Sequence, residues 1–277
     1  MLIRAVKFYL LEIGKKMKKI ISLATLSSFV SSAANAADTK YEGMAKNWQL
    51  GLQEPATPVM EKLVWMHDNI LLTMCIGISL FVLALLIYVC VRFSRKNNPV
   101  PSKTSHNTKL EIIWTTLPIL ILILIAIPSL RTHYFMERDV EPEMTIKVVG
   151  YQWYWHYEYP NNGDINFDSY LLKDKDLKTG DHRMLAVDNR LVVPVDTKIQ
   201  VLVTGADVIH SFAVPAFGIK RDGIPGRLNE TWFKATQIGT FYGQCSELCG
   251  VGHGFMPIVI DVVSKDDFAK WVASKKK

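Results

Sequence analysis

Residues 70–91 read ILLTMCIGISLFVLALLIYVCV, an apolar run of 22 residues without a charge. At 1.5 Å of rise per residue a helix of this length covers about 33 Å, enough for a hydrocarbon core of about 30 Å. The run predicts a transmembrane helix. A second apolar run, residues 112–130, contains Pro118 and Pro128. Prolines are tolerable in a span where neighbouring helices take up the freed carbonyls. The two runs are read as a hairpin with helices over about 67–92 and 110–131. Arg92, Arg95, Lys96, Lys103 and Lys109 lie between them with no acid. Positive-inside bias therefore places this loop in the cytoplasm and both ends of the hairpin outside.

Upstream, Met17-Lys18-Lys19 is a charged segment, Ile20 to Val30 an apolar one, and Ala34-Asn35-Ala36 a small-residue cleavage site. This pattern predicts an export signal over 1–36, with a mature chain from Ala37. Residues before Met17 read equally as an untranslated upstream start or a longer charged region. A polar connector over 37–63 precedes the hairpin, 64–131, and residues 132–277 form the exported domain. The expected location is the cytoplasmic membrane of a bacterium, with the N-terminus and C-terminal domain in the periplasm.

From Met144 the pattern changes to short β-rich pieces: MTIKVVGY (144–151), RMLAVD (183–188), RLVVPV (190–195), KIQVLVT (198–204), SFAVP (211–215), LNETWFKA (228–235), GTFYGQ (239–244) and FMPIVIDVV (255–263). Asp, Asn, Gly and Pro separate them, and several alternate apolar with polar side chains. The fold class is an α+β membrane protein, a two-helix hairpin followed by an all-β sandwich. Residues 265–274 read as a short amphipathic helix with Phe268 and Trp271 on one side. Formal net charge is +6 and the isoelectric point about 9.0, but from Arg131 onward 18 basic residues face 19 acidic ones. The exported part has no basic patch for nucleic acid.

Within GQCSELCGVGHGFM (243–256), Cys245, Cys249, His253 and Met256 combine two thiols, an imidazole and a thioether. Such donors favour copper over magnesium, calcium or manganese. Gly243, Gly250, Gly252 and Gly254 argue against a long helix and let the backbone aim several side chains at one point. With one further imidazole, two thiolates could bridge a pair of coppers and share an electron between them. His210 is the preferred source, because a β-like run breaks at Asp207 just before it. His67, His106, His133, His156 and His182 compete for the role. A disulfide between the cysteines is the plain alternative in an oxidising compartment, but it leaves His253, Met256 and the glycines unexplained. A membrane-anchored copper carrier is the other alternative.

Four segments carry a resemblance to subunit II of the haem–copper cytochrome c oxidases, over about residues 60–273: IIWTTLPILILILIAIPSLR (112–131), GYQWYWHYEY (150–159), DVIHSFAVPAFGIKRDGIPGRLNE (207–230) and YGQCSELCGVGHGFMPIVI (242–260). The resemblance implies a cupredoxin-like Greek-key sandwich with a dinuclear copper A centre. Its ligands would be His210, Cys245, Cys249, His253, Met256 and the main-chain carbonyl of Glu247. Retention of these ligands implies cytochrome c as donor, with electrons passing to haem in subunit I, where oxygen is reduced and protons move. Trp153 is then the electron entry point, Glu158, Asp164, Asp188 and Asp207 the acidic docking patch, and Glu111 the mouth of a proton path that continues in subunit I. The Glu247 side chain would reach a magnesium shared with subunit I. The expected partners are subunit I, subunit III, cytochrome c and the lipid bilayer. Cys75 and Cys90 are read as packing residues.

Overall fold

The computed structural model describes residues 41–138 and 141–275. The expected export signal, with its cleavage site after Ala36, lies outside them. After a short strand, β1 (Tyr41–Gly43), a loop leads to one continuous helix, α1 (Pro58–Arg92). Thr57 caps it: its hydroxyl accepts from the Met60 N–H at 3.1 Å, and Pro58 follows with its fixed φ. The helix passes through a π-type turn at His67–Leu71. It therefore starts inside the segment read as connector. The second helix, α2 (Thr108–Glu137), runs through Pro118 and Pro128 without ending and extends past residue 131. Both helices are long and apolar enough to cross a membrane, and their apolar windows bury nothing within this chain.

The remaining chain forms two sheets. Strands β2 (Met144–Tyr151), β3 (Tyr154–Tyr159), β4 (Ile165–Ser169), β6 (Ile199–Gly205) and β9 (Asn229–Phe233) make one, in the order β4-β3-β2-β6-β9. The other runs β5-β11-β10-β7-β8, built from β5 (Leu191–Pro194), β7 (His210–Val214), β8 (Ile219–Gly223), β10 (Gly239–Cys245) and β11 (Pro257–Val263). Strand β1 adds a parallel pair to β10. The alternation along β6, where Ile199, Val201 and Val203 are fully buried, shows why the sheets face each other: every second side chain is apolar and points between them. One continuous core results, with Trp155, Tyr157, Tyr159, Phe212, Phe217, Phe233 and Phe241 wholly enclosed.

One expected strand is absent and two unexpected ones are present. RMLAVD (183–188) is a turn with a single bridge from Leu171 to Val187, because its apolar residues cover the outer face of the β10 sheet. Conversely, residues 165–169 and 219–223 are strands that lacked a strongly apolar signature, INFDS and IKRDG. The last helix, α3 (Lys265–Lys275), lays Phe268 and Trp271 against the core.

The sandwich is bolted to the helices. Trp232 Nε1 donates to the Met136 carbonyl at 3.0 Å, and Arg221 pairs with Glu137 at 2.6 Å. On the other side, the Thr57 hydroxyl donates to the Phe217 carbonyl at 2.7 Å.

Candidate metal centre

His210 opens β7, and Cys245 closes its neighbour β10, so the sheet register itself brings them together: Cys245 pairs with Phe212. Gly150 on the facing sheet makes room, since a Cβ there would meet the His210 ring at 2.7 Å. From Cys245 the chain loops out through Glu247 and back through Cys249, His253 and Met256 before β11 begins. Gly250 takes a left-handed φ of 113°, which only glycine adopts without strain.

The soft donors converge. Cys245 Sγ lies 3.9 Å from His210 Nδ1, 3.9 Å from Cys249 Sγ and 3.4 Å from the Glu247 carbonyl oxygen. Cys249 Sγ lies 3.6 Å from His253 Nδ1 and 3.6 Å from Met256 Sδ. Both thiols are free, and the disulfide alternative finds no support in the geometry, since that bond needs a sulfur separation of about 2.05 Å. His210, Cys245 and Cys249 are buried and form the one such ligand group among the described residues. Two sulfurs at this spacing can both reach a common ion at about 2.3 Å. Counting His253, Met256 and the Glu247 carbonyl, the donors outnumber what one four-coordinate ion takes. The set fits a pair of soft cations.

Electrostatics prepare the site for positive charge. Burial disfavours a Cys245 thiolate, but hydrogen bonds from His210 and at the Glu247 and Ser211 backbone outweigh it and bring the thiol down to about 6. Burial, together with the charge on Cys245, pushes Cys249 up to about 12. One thiolate forms readily, and a bound cation displaces the second proton. Burial also opposes charge on His210, yet its bonds to Cys245 and Asp207 raise its pKa.

Outer residues orient these ligands. Asp207 Oδ1 accepts from His210 Nε2 at 2.9 Å, which leaves Nδ1 facing the sulfur. This is the carboxylate–histidine arrangement that fixes a metal-ligating imidazole. Trp155, fully buried, donates from Nε1 to the Met256 carbonyl at 3.2 Å and meets the His210 ring edge-on. Trp153 sits in the turn between β2 and β3 and is about one-third exposed. Its Nε1 donates to the Cys249 carbonyl at 3.1 Å, and its ring rests on Gly252 so closely that a Cβ there would lie 2.3 Å away.

The expected acids separate. Asp207 touches the centre. Asp188 takes the Tyr170 and Asn189 N–H groups, both at 2.7 Å. Glu158 pairs with Lys147 at 2.8 Å on the outer face of β3. Asp164 stands in the turn at the far end of the β3–β4 hairpin, about 13 Å further along β4 than Asp168. Asp168, which sequence reasoning missed, bonds His156 at 2.7 Å near the Trp153 end. The signal was available only through the register that pairs His156 with Asp168. Glu111 lies at the opposite end of α2, where its carboxylate accepts the Asn107 N–H at 3.3 Å and favours the helix N-terminus. The Glu247 side chain is exposed. Gln152, also missed, donates from Nε2 to the Cys249 carbonyl at 2.8 Å.

A model described as cytochrome c oxidase subunit II, periplasmic domain, matches residues 144–263. One described as the transmembrane domain of that subunit matches residues 45–132. The probable cytochrome c oxidase subunit 2 of Rickettsia bellii is 52% identical over 261 residues, covering 94% of each chain. Cytochrome c oxidase subunit 2 of Chondrus crispus is 46% identical, covering 84% of this chain and 93% of that one. Among solved structures, the periplasmic domain of cytochrome oxidase subunit II from Bradyrhizobium japonicum is 58% identical with a TM-score of 0.47, covering 50% of this chain and 97% of that one. These matches support the oxidase reading over the membrane-anchored copper carrier. A soft-donor loop on a β-sandwich, two apolar helices before it and end-to-end identity to a relative agree: the chain belongs to the cytochrome c oxidase subunit II family.

Proposed function

We propose that this chain is the electron-entry subunit of a cytochrome c oxidase, taking electrons one at a time from cytochrome c and handing them to haem in subunit I. The observation that carries the reading is the convergence of His210, Cys245, Cys249, His253 and Met256 with the Glu247 carbonyl, beside the partly exposed Trp153. Bound there, a copper pair supplies a one-electron store that needs little rearrangement on reduction. One electron leaves the ferrous haem of the donor, which becomes ferric, and no proton or atom crosses with it.

The chain's own residues divide the work. Trp153 offers an aromatic edge to the donor and a hydrogen bond into the ligand loop. Asp188, Glu158, Asp164 and Asp207 supply negative charge to a lysine-rich donor face, which speeds and orients encounter. Asp168 stands closer to Trp153 than Asp164 does and belongs with them. The exposed Glu247 carboxylate is a hard oxygen donor suited to a magnesium ion shared with subunit I. Glu111 is proposed as the entrance of a proton path at the cytoplasmic end of α2. The parts are a signal over 1–36, the membrane hairpin and the domain that follows α2, set in a bacterial inner membrane, with subunit III as a further partner.

Electron paramagnetic resonance with metal analysis on the assembled oxidase tests the centre. The expected result is a hyperfine pattern from one unpaired electron spread over two coppers. A single-copper pattern, or a labile Cu(I) that a chelator removes without effect on cytochrome c oxidation, overturns it.

A further inference from the structure

Gln152 precedes Trp153 at the tip of the β2–β3 hairpin and is no part of the ligand set, yet its polar groups lead into it. Its main-chain N–H donates to Asp207 Oδ2 at 2.8 Å, and the other oxygen of that carboxylate accepts from His210. Its side-chain Nε2 donates to the Cys249 carbonyl at 2.8 Å. The same carbonyl accepts Trp153 Nε1 at 3.1 Å. A carbonyl oxygen has two lone pairs, so both donors are served.

The ligand loop is shaped for this pair. A Cβ on Gly250 would lie 3.0 Å from Gln152 Nε2 and 3.2 Å from Trp153 Cζ2, and one on Gly252 would collide with the indole. Two glycines thus let an amide and an indole lie side by side against the metal loop. Trp153 is about one-third exposed, and its N–H makes its one hydrogen bond to the loop. The indole is seated by this bond and by packing on Gly252, and the amide beside it holds the shared acceptor in place.

We propose that Gln152 is a positioning residue for electron entry, its amide clamping the Cys249 carbonyl so that the Trp153 indole stays seated on the metal loop. The inference rests on Trp153 being the entry point. Gln152 itself exchanges no electron or proton.

Gln152→Met keeps the length of the side chain and removes the donor. In the assembled oxidase, the limiting rate of electron input at saturating reduced cytochrome c should fall by roughly tenfold. KM, its salt dependence, copper content and the paramagnetic spectrum should hold. In a Trp153→Phe background, which lacks the indole N–H, Gln152→Met should add nothing. On the copper-depleted full chain, amide hydrogen exchange across residues 248–254 should quicken. An unchanged limiting rate or unchanged exchange overturns the clamp. So does an undiminished effect in the Trp153→Phe background, which would mean that Gln152 acts by another route. A change confined to KM and its salt slope would make Gln152 a docking contact instead. Trp153→Phe alone reports separately on the entry reading: if that variant accepts electrons at the normal rate, the entry assignment fails and the clamp fails with it.

Discussion

In the sandwich, Ile146, Leu191, Ile199 and Phe241 are fully enclosed, whereas along the helices Leu80, Phe81, Leu122 and Leu124 expose 60% or more of their surface. The same residue types do opposite work. Between the sheets they exclude water and form the packed frame on which the metal donors stand. Along α1 and α2 they are left for lipid or a partner subunit, and nothing among the described residues buries them. A change in the sandwich is therefore felt at the metal, while a change in the helices is felt only through the bilayer and the assembly.

Substitutions can break or sharpen this contrast. Cys249→Ser replaces a soft donor of the proposed centre, and copper content should collapse, with loss of electron input exceeding the roughly 100-fold that outer-shell changes cost. Retained stoichiometry by metal analysis would remove Cys249 from the ligand set. Gly243→Ala comes next, because its Cβ would lie 2.1 Å from the Ala213 carbonyl oxygen, an atom of backbone that cannot swing away. A cost of about 3 kcal/mol and a lowered melting temperature are expected. A wild-type melting curve would show that the sheets yield more than their burial implies. Trp153→Phe should slow electron input by roughly tenfold at full copper occupancy, and normal reduction kinetics in stopped flow would reject the assignment.

On the helix side the effects shrink. Glu111→Ala should lower oxidase turnover severalfold and leave the copper spectrum as it was. Full turnover would reduce Glu111 to the helix-capping contact it makes with Asn107. Gly77→Ala should hardly register, within about 0.5 kcal/mol, because no atom stands within 4 Å of its added methyl. If it disrupts the assembled oxidase, a partner subunit packs against that face of α1.

Much of this was legible in the sequence because the signals were local. Apolar length marked both spans, alternation marked β2 and β6, and four soft donors within a dozen residues marked the ligand loop. What escaped depended on register. Asp164 and Asp168 are equivalent in composition, and only the pairing of His156 with Asp168 shows which of them lies toward Trp153. Asp207 reads as a surface acid, while both its oxygens are engaged at the centre. Gln152, Gly150 and Trp155 act across the gap between sheets, and no spacing rule links residue 150 to residue 210 or residue 155 to residue 256. The helix ends were misplaced for another reason: Pro58–Met66 continues the helix above the apolar run on capping and sandwich contacts, which hydropathy does not see.

Strand β1 comes before the first helix, and β10, with which it pairs, comes after the second. Ala56 likewise bonds to Ala216, and Thr57 to Phe217. The exported fold is thus assembled from chain on both flanks of the hairpin. A hairpin inserted with only one span across would leave β1 on one side of the bilayer and its slot on the other, with that stretch of β10 unpaired and Gly43 no longer over Phe241. Closure of the sandwich therefore depends on membrane topology: a chain threaded wrongly cannot complete the sheet whose central strand carries the first cysteine of the metal site.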